Sequence, residues 1–219
     1  MARLIVFGTG SFALVARFYF ERDSPHRVVA FTVDQAYRTA DEFCGLPLVD
    51  FETVVDRYPP SQVSMFVALS YAQMNRVRAA KYARAKELGY TLASYVSSRC
   101  SYLTDSPPGD NCFILEDNTV QPFVRIGSNV TLWSGNHIGH DSTIDDHVFI
   151  TSHVVVSGNV RVSSYCFIGV NATLRNSIVV APETLIGAGA AIMKDTTPKS
   201  VYVAPRAERL DKTSDTITL

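Results

Sequence analysis

Every sixth residue from position 114 to position 192 is Ile, Leu or Val. The series runs Ile114, Val120, Ile126, Leu132, Ile138, Ile144, Ile150, Val156, Val162, Ile168, Leu174, Val180, Ile186, Ile192. Two places before many of these stands a valine or a small residue: Val124, Val130, Val148, Val154, Val160, Cys166, Ala172, Ala190. A six-residue period is the sign of a parallel β-helix, each unit a short strand plus a corner. Three units close one triangular coil, so residues eighteen apart stack directly, about 4.8 Å from each other. The sixth positions fill the interior column and the corners face outwards.

The first half of the chain follows a different rule. "RLIVFG" (3–8), "HRVVAFTV" (26–33), "QVSMFVAL" (62–69) and "YTLASYV" (90–96) read as strands. "SFALVARFYFERD" (11–23) has helical spacing of Phe12, Val15, Phe18 and Tyr19, and "MNRVRAAKYARAKELG" (74–89) is an amphipathic helix closed by Gly89. Strand–helix alternation implies a parallel sheet with helices on its faces. Pro107, Pro108 and Gly109 then interrupt the pattern. The expectation is a small Rossmann-like domain over 1–104, a β-helix over 105–205 and a tail over 206–219.

The chain has 219 residues, enough for such cores without covalent staples. Charge is nearly balanced at net −1, which gives no footprint for nucleic acid or for an anionic membrane surface. No apolar run is long enough to span a bilayer and the N-terminus lacks a signal-peptide pattern. Cys44, Cys100, Cys112 and Cys166 show no metal or redox spacing, as expected of reduced thiols in a cytoplasmic protein.

Two stretches carry chemistry. "GTGSFA" (8–13) follows a strand, opens a helix and fits G-x-G-x-x-G/A, with Gly8 for the turn, Gly10 for close backbone approach and Ala13 for packing. Ser11 at the helix N-terminus could hold a phosphate, and Asp34 ends the second strand where a ribose-binding acid would lie. The bland alternative is a pair of glycines that only permit a tight turn. "GNHIGHDSTID" (135–145) places His137, His140, Asp141 and Asp145 inside the apolar rhythm, on positions with no cost to the core.

A Rossmann-like domain ahead of a solenoid with "GHDSTIDDHVFI", "SGNV", "CFIGVNATL" and "LIGAGA" resembles the NeuD/PglD group of bacterial sugar acetyltransferases. The resemblance covers about residues 3–205. It implies a left-handed β-helix, a homotrimer with sites between neighbouring solenoids, and acetyl transfer from acetyl-CoA to a sugar, often nucleotide-linked, in glycan biosynthesis. It implies His140 as the catalytic histidine, with Asp141 as its acidic companion. It further implies the Gly158 N–H as donor to the acetyl carbonyl, and Gly187, Ala188 and Gly189 beside the CoA arm. Gly8, Gly10, Ser11 and Asp34 would serve the nucleotide-sugar. The sequence departs from the group in reading Gly10-Ser11 where Gly-Gly is usual. It also reads Asp145-Asp146 and Ser163-Ser164 where Gly-Asp or Gly-Glu is common.

The chemistry stands beside the resemblance. An amine attacking a thioester must lose a proton, and a neutral imidazole accepts it at physiological pH. A carboxylate fixes the ring, and a fixed N–H about 3 Å from the developing oxyanion stabilises it. The repeat period alone puts Gly158 one coil above His140. His137 falls on the strand side, and His147 and His153 on the other two corners, as surface or interface residues. Three readings compete with aminosugar N-acetylation: O-acetylation of a free sugar such as a sialic acid, a zinc-dependent carbonic-anhydrase-like β-helix, and a non-catalytic scaffold. The transferase reading expects no metal.

Overall fold

The computed structural model describes residues 1–209, 211, 213 and 214. Of the tail expected at 206–219, residues 210, 212 and 215–219 lie outside the described residues.

The N-terminal part is a sheet with helices. Its elements are β1 (Ala2–Phe7), α1 (Ser11–Arg22), β2 (His26–Val33), β3 (Glu42–Phe43), β4 (Leu46–Asp50), α2 (Val54–Arg57), β5 (Ser64–Val67) and α3 (Arg76–Glu87). The sheet order is β3-β4-β2-β1-β5, parallel except for the β3–β4 hairpin. Without edge strand β3 the order β4-β2-β1-β5 is the third-second-first-fourth order of a Rossmann half. Strand β4, which Pro47 obscures in the sequence, is the element the strand pattern missed. Helix α1 buries Phe12, Ala13, Ala16 and Phe20, not the face running through Phe18, which is half exposed. Small Ala13 and Ala16 let the helix lie close on the sheet.

The solenoid is a left-handed parallel β-helix. Three parallel sheets form its faces. The docked face runs from Tyr95–Val96 through Phe113–Ile114, Thr131–Leu132, Phe149–Ile150, Phe167–Ile168 and Leu185–Ile186 to Val201–Tyr202. The second face contains His137–Ile138 and Val155–Val156, and the third contains Thr143–Ile144 and Arg161–Val162. Each ladder pairs residues eighteen apart, for example Ile138 with Val156 and Ile150 with Ile168. The sixth-position residues are at most 5% exposed throughout. Each such side chain contributes about 1.5–3 kcal/mol of burial.

The corners repeat as strictly as the interior. Every sixth residue from Asn111 to Gly189 has a left-handed backbone, with φ between 54 and 78°. Asn, Asp and Gly hold most of these positions, as expected where a Cβ is disfavoured.

The solenoid begins ten residues before the boundary expected at 104/105, since Tyr95–Val96 and Ser101–Tyr102 already pair with Phe113–Ile114 and Thr119–Val120. Of the stretch 90–96 read as a sheet strand, Leu92 makes a single bridge to Met65, and the remainder opens the first coil. Pro107 and Pro108 do not separate domains. They occupy the first rung of the third face, and their missing N–H groups leave that face starting one coil late, at Arg125–Ile126.

The two parts share one core. Phe113 and Phe149 of the docked face pack with Phe12, Phe20, Phe66 and Tyr95. Beside this cluster runs a buried polar seam. Asn111 exchanges hydrogen bonds with the Val67 backbone and donates to Asn129 Oδ1, and Asn129 Nδ2 donates to His147 Nδ1 at 2.9 Å. Arg78 of α3, 1% exposed, donates to the carbonyls of Asn129 and His147, and Asn75 donates to the Cys166 carbonyl. Three successive coils are thereby tied to one helix.

Candidate active site

The corner between the second and third faces carries the candidate chemistry. Read upwards by coil, it consists of 103–105, 121–123, 139–141, 157–159, 175–177 and 193–195. His140 and Asp141 sit halfway along it, their side chains 62% and 55% exposed. The His140 Nδ1 is 2.8 Å from Asp141 Oδ2. That contact assigns Nδ1 the proton and leaves Nε2 as the free base. Asp141 has φ 59°, so the left-handed corner itself turns its carboxylate towards the preceding ring.

Gly158 lies one coil above. Asn159 N–H donates to the His140 carbonyl at 2.8 Å, which fixes the stacking. A Cβ built on Gly158 would fall 2.6 Å from His140 Nε2. The imidazole therefore occupies the space that a side chain at 158 would need. Among the hydrogen bonds of the described residues the Gly158 N–H has no acceptor.

Two residues that the sequence did not single out hold this corner. Gln121, one coil below, accepts the His140 N–H at 2.8 Å. The buried Ser142 hydroxyl donates to the Ser157 carbonyl and accepts from Val160 N–H, joining the two coils. Their signal was the stacking offset of about eighteen residues.

The other expected site residues lie elsewhere. Gly187, Ala188 and Gly189 are on the corner between the docked and second faces, with Gly135 and His153, one face away from His140. Gly8, Gly10, Ser11 and Asp34 lie at the ends of β1 and β2, on the docked side. Gly8 has φ 120° and its added Cβ would be 2.9 Å from the Ala68 carbonyl oxygen, so the turn itself demands glycine. Nothing lies within 4 Å of a Cβ at Gly10. Asp34 pairs with Lys81 Nζ at 2.5 Å.

A cavity of about 460 Å³ opens where the two parts meet, lined by Ser11, Phe12, Ser70, Tyr71, Trp133 and Ser152 among others. Ser11 follows β1 and Ser70 follows β5. This is the switch point of the sheet, where open α/β folds bind ligands. The cavity reaches the corner of Trp133 and Ser152, one face of the triangular solenoid away from the His140 corner.

The remaining histidines are accounted for separately. His137 faces outwards from the second face, half-buried, and His153 is exposed beside Gly135. His147 is not free, as its corner position suggested. It is half-buried between Tyr82 and Tyr165, and burial holds its pKa below the ordinary histidine value. Among the described residues no three His, Cys, Asp or Glu side chains converge to hold a metal ion, and no helix is long and apolar enough to cross a membrane.

A β-helix of hexapeptide repeats carrying an N-terminal Rossmann-like domain is the class that fold and corner define. Residues 124–158 match the bacterial transferase hexapeptide family (six repeats). Three solved structures share the whole architecture. The acetyltransferase domain of PglB from Neisseria gonorrhoeae has a TM-score of 0.78 and 23% identity, covering 96% of this chain and 100% of that one. PerB from Caulobacter crescentus, in complex with CoA and GDP-perosamine, has a TM-score of 0.81 and 18% identity over 93% of this chain and 95% of that one. WeeI from Acinetobacter baumannii has a TM-score of 0.79 and 16% identity over 93% of this chain and 97% of that one. The fold implied by the resemblance is thus the fold found. Among curated proteins, the acyl-[acyl-carrier-protein]–UDP-N-acetylglucosamine O-acyltransferase of Burkholderia lata is 25% identical over 72 residues, 33% of this chain. The match spans 28% of that protein's length.

Proposed function

We propose that this chain transfers an acetyl group from acetyl-CoA to the amino group of a nucleotide-linked aminosugar. His140 Nε2 takes the proton from the attacking amine. Asp141 holds the ring and stabilises the imidazolium, and the Gly158 N–H meets the thioester oxygen as it becomes an oxyanion. The amine's lone pair forms the new C–N bond, the intermediate collapses with expulsion of the CoA thiolate, and the His140 imidazolium returns the proton to that thiolate.

One observation carries the reading: an exposed His–Asp pair whose ring rests on a glycine with an open N–H. The structures that share the fold include an acetyltransferase domain and a perosamine N-acetyltransferase in complex with CoA and GDP-perosamine. Arg175 and Lys194 head the same corner above Gly158 and offer cations to the phosphates of CoA. The cavity at the sheet's switch point, with Ser11 in its wall and Gly10 next to it in sequence, suits the nucleotide-sugar. Because that cavity lies one face of the solenoid away from His140, we assign part of the site to a second copy, which closed cyclic symmetry supplies. We assign a homotrimer, with Gly187, Ala188 and Gly189 of one copy flanking the CoA arm bound beside its neighbour's His140. The four free thiols fit a cytoplasmic protein. A hydroxyl acceptor is the second reading, favoured by the name of the curated relatives.

The test is thiol release from acetyl-CoA with UDP-, GDP-, CDP- and dTDP-linked aminosugars and with free sialic acid. The expected result is turnover with one nucleotide-aminosugar, a kcat about 10²–10⁴-fold lower in His140→Asn and a smaller loss in Asp141→Asn. Asn tolerates the left-handed corner at 141, so that variant keeps the backbone. Turnover by His140→Asn above about a third of wild type would overturn the assignment of the base.

A further inference from the structure

The left-handed corner positions hold one residue that the fold does not explain. Phe123 has φ 67° and is 74% exposed. A bulky side chain is disfavoured in this conformation, and an exposed phenyl ring gains nothing from water. The other aromatic residue at such a corner, Tyr165, has its reason on view: His147 packs on its ring at 4.8 Å and Arg76 lies over it at 5.4 Å. Among the described residues no ring or cation packs on Phe123.

Its place is specific. Phe123 is eighteen residues before Asp141, on the coil directly below the His140–Asp141 pair. The two corners are joined, since Asp141 N–H donates to the Pro122 carbonyl at 3.3 Å and His140 N–H to Gln121 Oε1 at 2.8 Å. Below Phe123 on the same corner is Leu103, 58% exposed. A cavity of about 210 Å³ lies alongside, lined by Phe123, Leu103, Pro122, Thr104, Asp105 and Arg125 among others. The corner thus has a polarity along its length. An apolar end with one acidic side chain lies below the pair, and Gly158, Arg175 and Lys194 lie above it.

If the donor's thioester reaches the Gly158 N–H from the cationic end, the attacking amine must approach His140 from the other. We propose that Phe123, supported by Leu103, is the platform on which the C–H face of the acceptor's sugar ring rests, making it a specificity-determining residue of the transfer. A sugar ring presents a face of weakly positive hydrogens, and the face of an aromatic ring is its electrostatic complement. Asp105 and Arg125 beside the platform offer the acceptor's polar groups an anion and a cation. The proposal rests on the acetyltransferase reading above, and the experiment separates the two.

The acceptor panel is first run with wild type, and the best acceptor is carried into steady-state kinetics with Phe123→Asn. Asparagine suits the left-handed corner, so the variant is expected to melt no lower than wild type. Its KM for the acceptor should rise by about tenfold or more, with the KM for acetyl-CoA within about twofold. Phe123→Tyr, which keeps the aromatic face, should restore the acceptor KM. An acceptor KM unchanged in Phe123→Asn overturns the platform alone. So does an oligomer that dissociates in Phe123→Asn, because the ring is then a contact between copies. Wild type inert with every acceptor overturns the acetyltransferase reading and the platform with it.

Discussion

The imidazole of His140 occupies the space in which a side chain on Gly158 would begin: Nε2 is 2.6 Å from that absent Cβ. Glycine at 158 therefore leaves both an open N–H and room for the imidazole. Gly158→Ala needs no unusual backbone, because its φ is not in the left-handed range. The variant should fold and assemble, yet push the ring off its seat. We expect kcat to fall by about 10²-fold at saturating substrates. Normal kcat in Gly158→Ala would show that the ring works from another rotamer.

The two glycines of "GTGSFA" separate a turn requirement from a ligand requirement. Gly8→Ala meets the Ala68 carbonyl in a backbone that alanine avoids, and should lose about 1–3 kcal/mol in denaturant unfolding. Gly10→Ala meets nothing. It should unfold like wild type while raising the KM of the nucleotide-sugar and sparing acetyl-CoA. If Gly10→Ala binds the nucleotide-sugar normally, the second glycine has no part in recognition.

The seam between the two parts predicts an acid-sensitive fold. Burial holds His147 below its ordinary pKa; Arg78 acts in the same direction, and Asp146 and Asp110 oppose it. Below about pH 6.5 the unfolded chain therefore binds the proton more readily than the folded one, and stability falls as pH falls. Half-buried His26, whose pKa burial also lowers, adds to the same trend. Asp23, Asp110 and Glu116, held below the usual carboxylate range by their hydrogen-bond donors, add theirs only in stronger acid. Melting temperature should drop between about pH 7.5 and 5.5. His147→Asn should reduce that drop, since asparagine keeps the left-handed corner and still accepts from Asn129. An undiminished drop would assign the effect to His26, and His26→Gln would then flatten it.

Ile168→Asp places a carboxylate in the interior column, where Ile168 is fully buried. With no partner there, the cost should exceed about 4 kcal/mol, enough to remove soluble folded protein. Recovery of a normally melting variant would refute the register, and with it the stacking of His140 under Gly158.

What could be read from the sequence was whatever recurs at fixed offsets. Interior positions six apart and stacked positions eighteen apart placed Gly158 above His140 without coordinates. The same rule held the clue to Gln121 and Ser142, although neither residue type draws attention. It failed at Pro107-Pro108, where a missing N–H ended a ladder but not the coil, so a rung was mistaken for a linker. Nor did it reach the docking of the two parts. Arg78 meets Asn129 and His147 across 51 and 69 residues of chain, and no period announces such a contact. A buried arginine with carbonyl partners looks, in sequence, like any polar position on an amphipathic helix. Asp34 was placed correctly at a strand end, but its ion pair with Lys81 of α3 depends on how the helix returns to the sheet.

The left-handed residue at every sixth position makes each corner of the solenoid a ruler with one graduation per coil. Distances along the His140 corner come only in whole steps, so the span from the base to Arg175 or down to Phe123 cannot be tuned by a residue or two. An insertion of fewer than eighteen residues taken into the coil path, and not looped out at a corner, would turn interior side chains outwards or move His140 to another corner. A longer donor or a bulkier acceptor could therefore be met in only two ways: by gaining or losing a complete coil, or by changing the side chain mounted on a graduation already there.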